Sequence, residues 1–353
     1  MKKSAKDRIF SLDLLKAFSI LAVVFFHGIF IPETAYEKSK YWVDVAFAPL
    51  RFCVPVLFTI SFFLLRMSFD KTKESNIFSV AGSRIFRLLV PTLFWFSIAG
   101  LFRRLGDAPI LAPMAQGKVF PGAYYLLVMI ILIPIFSWLI SYRLTNKRLL
   151  FIITAQFAVF GFIYISILYK PDFFLIHGLK IMSRPLPIYW FAYMAMGIFF
   201  YEQSSWLIKF SHKIPVWIKG ASIVATATLM LLEYGYLRSI IGDHPNPFEY
   251  AMFSCILSVF VLFLCFFSIN PDDLPPHIVS LVKTLSTYSL GIFCINGILS
   301  LIFLKLGILL LQGNQVSLLA AIILRIVGGI VLVTVALWLS KVLERVGLKA
   351  CVR

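Results

Sequence analysis

The sequence predicts an all-α integral membrane protein, built as a polytopic bundle of about ten transmembrane helices. Of its 353 residues, 60% are hydrophobic and only 14% are charged, whereas soluble domains average about 45–50% and about 25%. The mean hydropathy is +0.92, and apolar runs of the roughly 20 residues that one membrane crossing needs recur along the chain. This composition excludes an ordinary soluble globule, a disordered chain and a fibrous repeat.

The first predicted helix lies in residues 1–30. A basic start precedes a long apolar run there, which is also the pattern of a secretory signal peptide. Asp13 and Lys16 interrupt the run and no small-residue cleavage site follows it, so we expect an uncleaved helix. With no internal repeat and no appended soluble domain, residues 1–353 are expected to form a single transmembrane domain. Nine further apolar stretches are predicted to cross the membrane, at about 44–65, 85–102, 122–142, 149–169, 186–203, 214–235, 248–269, 285–311 and 317–340.

Membrane topology explains the excess of basic residues. The chain has 33 Lys and Arg against 16 Asp and Glu, a formal charge of +17, and cytoplasmic loops of membrane proteins concentrate Lys and Arg. No basic run is interleaved with aromatic residues, so we expect no nucleic-acid partner. The connections that share a side with the two termini carry more basic residues than the others. This bias predicts a multi-pass protein of the inner (cytoplasmic) membrane with both termini in the cytoplasm.

The first helix carries a polar stripe. Lys16 and His27 are eleven residues apart, which returns them to nearly the same helix face, and Asp13 lies three residues before Lys16, close enough to pair with it. Ionisable residues within a span usually face the bundle interior, a cavity or a partner. One interpretation is an interfacial Asp13–Lys16 ion pair with His27 hydrogen-bonded to a neighbouring helix. The other is that His27 relays or abstracts protons.

Arginines at the start of two spans are candidate ligands for anions. Arg84 and Arg87 share a helix face at the predicted inner end of the third span, where two guanidinium groups at a helix N-terminus suit a phosphate-bearing ligand. The alternative is an ordinary cytoplasmic anchor. Arg51 lies in the second span between Pro49 and Pro55, which predicts a broken helix whose irregular backbone lines a cavity or is buried in protein.

Four more charged residues lie in or near later spans. Glu233 and Arg238 are expected near the outer end of the seventh span, where they could pair with each other. Lys305 and Arg325 lie within the last two spans. We expect both to extend their charged ends towards the membrane surface.

Four stretches carry a resemblance to a known family: Lys16 followed after ten residues by His27, residues 54–61 (VPVLFTIS), Arg84-x-x-Arg87 followed by Leu-Leu-Val-Pro, and residues 286–293 (STYSLGIF). In this order they resemble motifs of the membrane-bound acyltransferase-3 family, the bacterial envelope glycan O-acyltransferases. Two positions depart from the family pattern. Phe62 replaces a glycine, and Asn296 replaces a histidine, so a second titrating imidazole is missing there.

The resemblance implies a membrane O-acyltransferase, with O-acetyl transfer as the main expectation. The acyl group would pass from cytoplasmic acetyl-CoA, the donor substrate, to a hydroxyl of an envelope polysaccharide or lipid-linked saccharide. Arg84 and Arg87, with Arg51 as a third candidate, would bind the phosphates of the acyl-CoA. Membrane lipid and other glycan-assembly proteins are the further expected partners. The five cysteines lack metal-ligand spacing, so no metal is expected.

The resemblance also implies catalytic roles for the polar stripe. His27 would act as general base on the acceptor hydroxyl or as a transient acyl carrier. Lys16 would stabilise developing negative charge, and Asp13 would hold Lys16 charged and oriented. All of these groups are expected to line one tunnel that leads from the arginines to the imidazole.

Two questions remain open at this level. A transporter or flippase of a lipid-linked saccharide or small acid also carries polar residues within spans. Paired inverted repeats would favour a transporter; none is recognisable, although Pro55 and Pro91 interrupt helices in the first half.

Acceptor specificity is expected in the outer connections 103–121, 170–186 and 236–248. Four aromatic residues are assigned by default to the interfacial belt, and the alternative role is stacking on sugar rings: Trp42, Tyr124, Tyr125 and Trp190.

Overall fold

The computed structural model describes residues 9–28, 32–71, 77–104, 109–141, 144–169, 172–242, 246–311 and 314–353. Within these residues the chain is helical and contains no strand. Short 3₁₀ turns connect several of the α-helices. The α-helices are α1 (Phe10–Phe26), α2 (Lys40–Ala46), α3 (Cys53–Lys71), α4 (Ile77–Arg104), α5 (Leu111–Ala115), α6 (Tyr124–Ser141), α7 (Asn146–Tyr169), α8 (Phe174–Met182), α9 (Phe191–Glu202), α10 (Ser204–Lys213), α11 (Val216–Ile241), α12 (Phe253–Phe266), α13 (Pro276–Thr287), α14 (Ser289–Leu311), α15 (Leu318–Arg345) and α16 (Lys349–Val352).

The helices confirm the prediction that the chain is a polytopic membrane protein. Among the described residues, eight helical segments are long and apolar enough to cross a membrane. The first and sixth predicted stretches also form helices, but α1 has 17 residues and α9 has 12. Helix α9 begins late because the 3₁₀ turn Pro187–Tyr189 precedes it, and proline lacks the N–H group that an interior helical position needs.

Helix α1 lies inside the bundle. It packs against α3, α12, α13, α14 and α15, and Leu15 and Val24 are completely buried on it. The chain beyond α1 approaches α15 closely, since a Cβ atom on Gly28 would lie 2.9 Å from the backbone oxygen of Arg325. Small residues allow helix backbones to come this near. His27, the C-terminal cap of α1, is therefore held where the chain crosses α15.

Among the described helices, the most extensive contact joins α3 to α9. A Cβ on Gly197 of α9 would lie 2.4 Å from the backbone oxygen of Thr59 on α3, so only glycine fits there. The Thr59 hydroxyl lies 3.0 Å from the backbone oxygen of Tyr193, which satisfies a polar group buried between the helices. These contacts give α3 a fixed position in the core.

The charged residues of the later spans differ from expectation. Arg238 pairs with Asp44 at 2.6 Å, whereas Glu233 accepts hydrogen bonds from backbone N–H groups at the start of α12. The suggested pairing of Glu233 with Arg238 is therefore not formed. Arg325 does not extend to the membrane surface: it is 7% exposed, donates to the backbone oxygen of Phe26, and thereby ties α15 to the end of α1.

Candidate active site

A cavity of about 290 Å³, which we call the Lys16 cavity, lies among α1, α3, α4, α6 and α14. Its wall is mostly apolar, with leucine, isoleucine, methionine and phenylalanine side chains. Polar groups are concentrated among a few residues: Lys16, Ser61, Arg84, Arg87, Tyr125, Ser289 and Arg353. The volume of about 290 Å³ is just below that of typical ligand pockets, which run from about 300 to 1,000 Å³.

The four stretches that resemble family motifs meet in this cavity. The first contributes Lys16, the second Ser61, the third both arginines, and the fourth Ser289 with Phe293. The third contribution differs from expectation in one respect. Helix α4 begins at Ile77, so Arg84 lies about two turns and Arg87 almost three turns from the start of the helix. The prediction that they flank a helix N-terminus is wrong, and free backbone N–H groups do not assist them.

The Lys16 cavity is positively charged. Four cationic side chains line it, and none of its described lining residues is Asp or Glu. Arg84 is held in place because its Nη2 atom donates to the Ser68 hydroxyl at 2.8 Å. Arg353 pairs with Glu344 at 2.7 Å and lies over the Tyr288 ring at 4.9 Å. Fixed guanidinium groups of this kind suit phosphate or carboxylate ligands.

Asp13 connects the first and fourth motifs. Its carboxylate is 8% exposed and accepts a hydrogen bond of 2.6 Å from the hydroxyl of Ser286 on α13. Lys16, one turn further along α1, lines the cavity. Asp13 is therefore a buried anchor of α1, next to the residue that it was expected to orient.

A second cavity, of about 380 Å³, contains His27, and we call it the His27 cavity. Connecting segments rather than helix faces form most of its wall. It is lined by Arg103, by residues 116–122, by Ser183 and Arg184, and by Asn246. All three connections in which acceptor specificity was expected thus contribute to one cavity, with His27 among them.

The imidazole of His27 is available to a ligand. Its ring packs edge-on against Phe26, with centroids 5.1 Å apart, and its side chain has no hydrogen-bond partner among the described residues. The alternative in which His27 bonds to a neighbouring helix is not seen in the described part of the chain. The side chain lines the cavity wall instead.

A buried ion cluster borders the His27 cavity, formed by Arg51, Arg184 and Glu249. Arg184 donates from Nε to Oε1 of Glu249 at 2.9 Å, and Nη1 of Arg51 lies 3.6 Å from the same oxygen. Glu249 is 1% exposed. Burial alone would lower the pKa of Arg184, but the Glu249 carboxylate holds that pKa above its usual value.

The position of Arg51 corrects its predicted role beside Arg84 and Arg87. Its guanidinium group lies over the rings of Phe26 and Tyr234, at 4.7 and 4.2 Å, on the side of the bundle that holds His27. It therefore belongs to the ion cluster rather than to the Lys16 cavity. The short 3₁₀ turn Ala48–Phe52 carries it there, as the flanking prolines suggested.

Three aromatic residues that were assigned by default to the membrane interface lie in the core. Tyr124 and Trp190 are 4% and 0% exposed, and Tyr125 lines the Lys16 cavity. The Tyr124 hydroxyl donates to that of Tyr250 at 2.7 Å. Trp190 donates from Nε1 to the backbone oxygen of Arg184 at 2.9 Å, which fixes the connection that carries this arginine.

A thin wall separates the two cavities. Gly122 lines the His27 cavity and Phe293 lines the Lys16 cavity, and a Cβ on Gly122 would lie 2.9 Å from Cζ of Phe293. Lys16 and His27, eleven residues apart on one helix, are separated by roughly 16 Å along its axis. The expected single tunnel is therefore divided in this structure, with the lysine and the histidine on opposite sides of the wall.

Several residues of the two cavities escaped the sequence analysis. Arg184 and Glu249 lie in connections far apart in the sequence, and only the position of Glu249 next to an apolar run could have marked it as unusual. Arg353 lies at the far end of the chain from Lys16. Asn296, which the sequence analysis named as a departure from the family pattern, lines neither cavity: it is fully buried, and its amide atoms have no partner among the described residues.

Comparison with known proteins gives one match. A family model described as an acyltransferase domain, acyltransferase family 3, matches residues 9–341, nearly the whole chain. No curated protein and no solved structure matches. The matched region contains the four motifs, the wall and the whole of α1 to α14. The chain therefore belongs to acyltransferase family 3 and is a membrane acyltransferase.

Proposed function

We propose that the protein transfers an acyl group, acetyl in the first instance, from acyl-CoA to a hydroxyl of an envelope polysaccharide or a lipid-linked saccharide. The observation that carries this proposal is the arrangement along α1. A cationic cavity with the four motifs lies beside the middle of the helix, and an imidazole without a described partner lies in a second cavity at its C-terminal end.

The Lys16 cavity is suited to the donor. Acyl-CoA carries phosphates at one end and a thin, largely apolar arm with the thioester at the other. Arg84, Arg87 and Arg353 provide the bidentate donors that phosphates prefer, and the apolar wall beyond them accommodates the arm. Because Lys16 lies with these arginines and not beside His27, we assign it to donor binding rather than to the reacting carbonyl.

The His27 cavity is suited to the acceptor. Its wall of connecting segments presents serine, glutamine and asparagine side chains and backbone groups, which are typical partners of saccharide hydroxyls. Connections tolerate sequence change more readily than helices do, so they suit a site whose substrate differs among relatives. The cavity and the donor site would then lie on opposite faces of the membrane, as cytoplasmic acyl-CoA and an envelope glycan require.

The chemistry follows from the position of His27. The imidazole accepts the proton of the acceptor hydroxyl while that oxygen attacks the thioester carbonyl. The new C–O bond forms, the C–S bond breaks, and the CoA thiolate leaves with the proton returned from the imidazolium. In the second version the imidazole attacks the thioester carbonyl, the C–S bond breaks and the CoA thiolate leaves; the acceptor hydroxyl then attacks the acyl-imidazole, the C–N bond breaks, and the hydroxyl proton passes to the thiolate. Either version requires the thioester to reach His27 from the Lys16 cavity, and the contact of Phe293 with Gly122 lies between the two cavities.

A transfer assay tests the proposal. The purified protein, in lipid nanodiscs, is given acetyl-CoA labelled in the acetyl group together with membrane glycan, and label on glycan and on protein is measured. We expect His27→Gln to lower transfer by about 10²–10⁴-fold, the range for loss of a general base. His177→Gln, an exposed histidine on α8, is the matched control and should keep full activity.

The outcomes separate the alternatives. A folded His27→Gln protein with normal transfer excludes both catalytic roles of the imidazole. If no variant and no wild-type preparation transfers label, the enzyme proposal fails for acetyl-CoA. Movement of lipid-linked saccharide across vesicles by the same preparation would then identify the transporter.

A further inference from the structure

The ion cluster next to His27 contains more positive than negative charge. Two guanidinium groups, of Arg51 and Arg184, share the single carboxylate of Glu249. Arg51 is 6% exposed and Glu249 1% exposed, so water reaches this cluster mainly at Arg184, whose side chain is 28% accessible. A buried charge is costly unless it is paired, and this cluster has one guanidinium group more than its carboxylate can neutralise.

The cavity surface adds charge of the same sign. Arg103 and Lys118 line the His27 cavity together with Arg184, and none of the described lining residues is Asp or Glu. The Lys118 side chain has no hydrogen-bond or ion-pair partner among the described residues. Arg184 uses Nε and Nη2 to hold Glu249, which leaves its Nη1 group for a ligand.

Binding of an acceptor that presents only hydroxyl groups does not require a positively charged cavity. Saccharide hydroxyls are bound by neutral donors and acceptors, and a neutral glycan would leave the extra cations without a counter-charge. A planar guanidinium group held by a carboxylate, with an ammonium group nearby, fits a carboxylate or phosphate group. Buried positive charge also disfavours the binding of a neutral or cationic saccharide, so it gives the site specificity for an anionic acceptor.

We infer that the acceptor is anionic, and that a carboxylate or phosphate group close to the acylated hydroxyl binds at Arg184 and Lys118. This inference rests on the proposed function, in that it names the chemical class of its acceptor. The anionic group has two sources: a sugar acid within the glycan, or the diphosphate that joins a saccharide to its lipid carrier. Arg184, Lys118 and Arg103 are then specificity-determining residues, and Glu249 is the positioning residue that orients Arg184.

Binding without any acyl donor tests the inference. Four probes are titrated against the protein in nanodiscs of neutral lipid: a glucuronate-containing oligosaccharide, the same oligosaccharide with its carboxyl reduced to an alcohol, farnesyl diphosphate and farnesol. We expect at least one anionic probe to bind about tenfold more tightly than its neutral partner, the effect of one such contact at about 1.4 kcal/mol. The preference should decrease as salt concentration rises.

Two variants locate the binding. Lys118→Gln removes an exposed ammonium group without a described partner, so it should leave folding intact and reduce the anionic preference several-fold. Arg104→Gln is the matched control, because Arg104 is exposed and lies next to Arg103 but is not among the lining residues of this cavity. Arg104→Gln should leave the preference unchanged.

Each outcome decides the inference. Preference for the glucuronate probe alone assigns the anion to the glycan, and preference for the diphosphate alone assigns it to the carrier; both support it. Equal binding of both members of each pair overturns it, as does an anionic preference that Lys118→Gln leaves unchanged. The proposed function is tested separately. If the protein prefers anionic probes but transfers no label from acetyl-CoA, the anion-binding site is supported and the proposed transferase activity is not.

Discussion

The Lys16 and His27 cavities differ in how the chain builds them. Side chains on α1, α3, α4, α6 and α14 form the first, whereas three connecting segments form most of the second. Helices in a packed bundle hold side chains rigidly, and connections vary more readily among relatives. Under the proposed function, this difference matches a donor shared by a family and an acceptor particular to each member.

The two cavities also use ion pairs of different kinds. Beside the His27 cavity, Glu249 is almost fully buried between two guanidinium groups. At the Lys16 cavity, the pair of Arg353 and Glu344 is partly exposed, with side chains 34% and 22% accessible. A partly exposed pair is screened by solvent and contributes little, whereas breaking a buried pair leaves a charge without compensation.

The largest predicted effect follows from this contrast. Glu249→Gln should lower the free energy of unfolding by about 3–5 kcal/mol, because the buried guanidinium group of Arg51 and the partly buried one of Arg184 lose their counter-charge. Glu344→Gln should lower it by less than about 1 kcal/mol. Both are measured by denaturant titration in the same detergent micelle, with Glu37→Gln, an exposed carboxylate, as control. Equal losses for the two variants would contradict the contrast.

The next effect concerns donor binding. Replacing both Arg84 and Arg87 by Gln should raise the KM for acetyl-CoA by about 10–100-fold, since each charge-assisted hydrogen bond contributes about 1.5–3 kcal/mol and part of that is lost to solvent. The KM for acetylpantetheine, which lacks the phosphates of CoA, should not change. Arg345→Gln, exposed on α15, is the control. An equal rise for both donors would mean that the arginines shape the cavity rather than bind phosphate.

The Lys16 cavity could be predicted largely from the sequence. Charged residues within apolar spans are costly enough to indicate function by themselves, which marked Lys16, Arg84 and Arg87. The spacing of Lys16 and His27 correctly placed both on the inward face of α1. The beginning of α4 was not predictable in the same way, because the helix starts at Ile77, ahead of the apolar run.

The His27 cavity could be predicted only in part. Its three connections were identified as segments, but their convergence depends on contacts between residues far apart in the chain. The bond from Trp190 to the backbone of Arg184 is one such contact. The ion cluster is another, since its members come from a 3₁₀ turn before α3, the connection before α9 and the turn before α12. Periodicity along one helix carries no information about such pairings.

A glycine contact tests whether the helices position the connections. A Cβ on Gly297 of α14 would lie 2.4 Å from Cδ2 of Phe120, in the segment that lines the His27 cavity. Gly297→Ala should cost about 1–3 kcal/mol of stability through overpacking and raise the KM for the acceptor more than that for acetyl-CoA. Gly161→Ala on α7, where a Cβ would meet nothing within 4 Å, is the control. Equal rises in both KM values would show that the two cavities are not independent.

The smallest predicted effect is at the wall itself. Phe293→Ala should join the two cavities and let water reach the thioester, since Phe293 faces Gly122 directly and exclusion of water protects reactive groups. Hydrolysis of acetyl-CoA without acceptor should rise several-fold. Phe293→Leu should give a smaller rise, and Phe162→Ala on the exposed face of α7 should give none.

The rate of acyl transfer to the acceptor distinguishes two roles for the Phe293 ring: blocking passage between the cavities, or orienting the donor arm. If the ring only blocks passage, Phe293→Ala should transfer at least as fast as the wild type while losing part of the acyl group to water. If the ring also orients the donor arm, transfer should decrease while hydrolysis rises. Unchanged hydrolysis in a folded Phe293→Ala protein would show that the thioester crosses elsewhere, and Tyr125, which lines the same cavity beside Phe293, would become the next position to substitute.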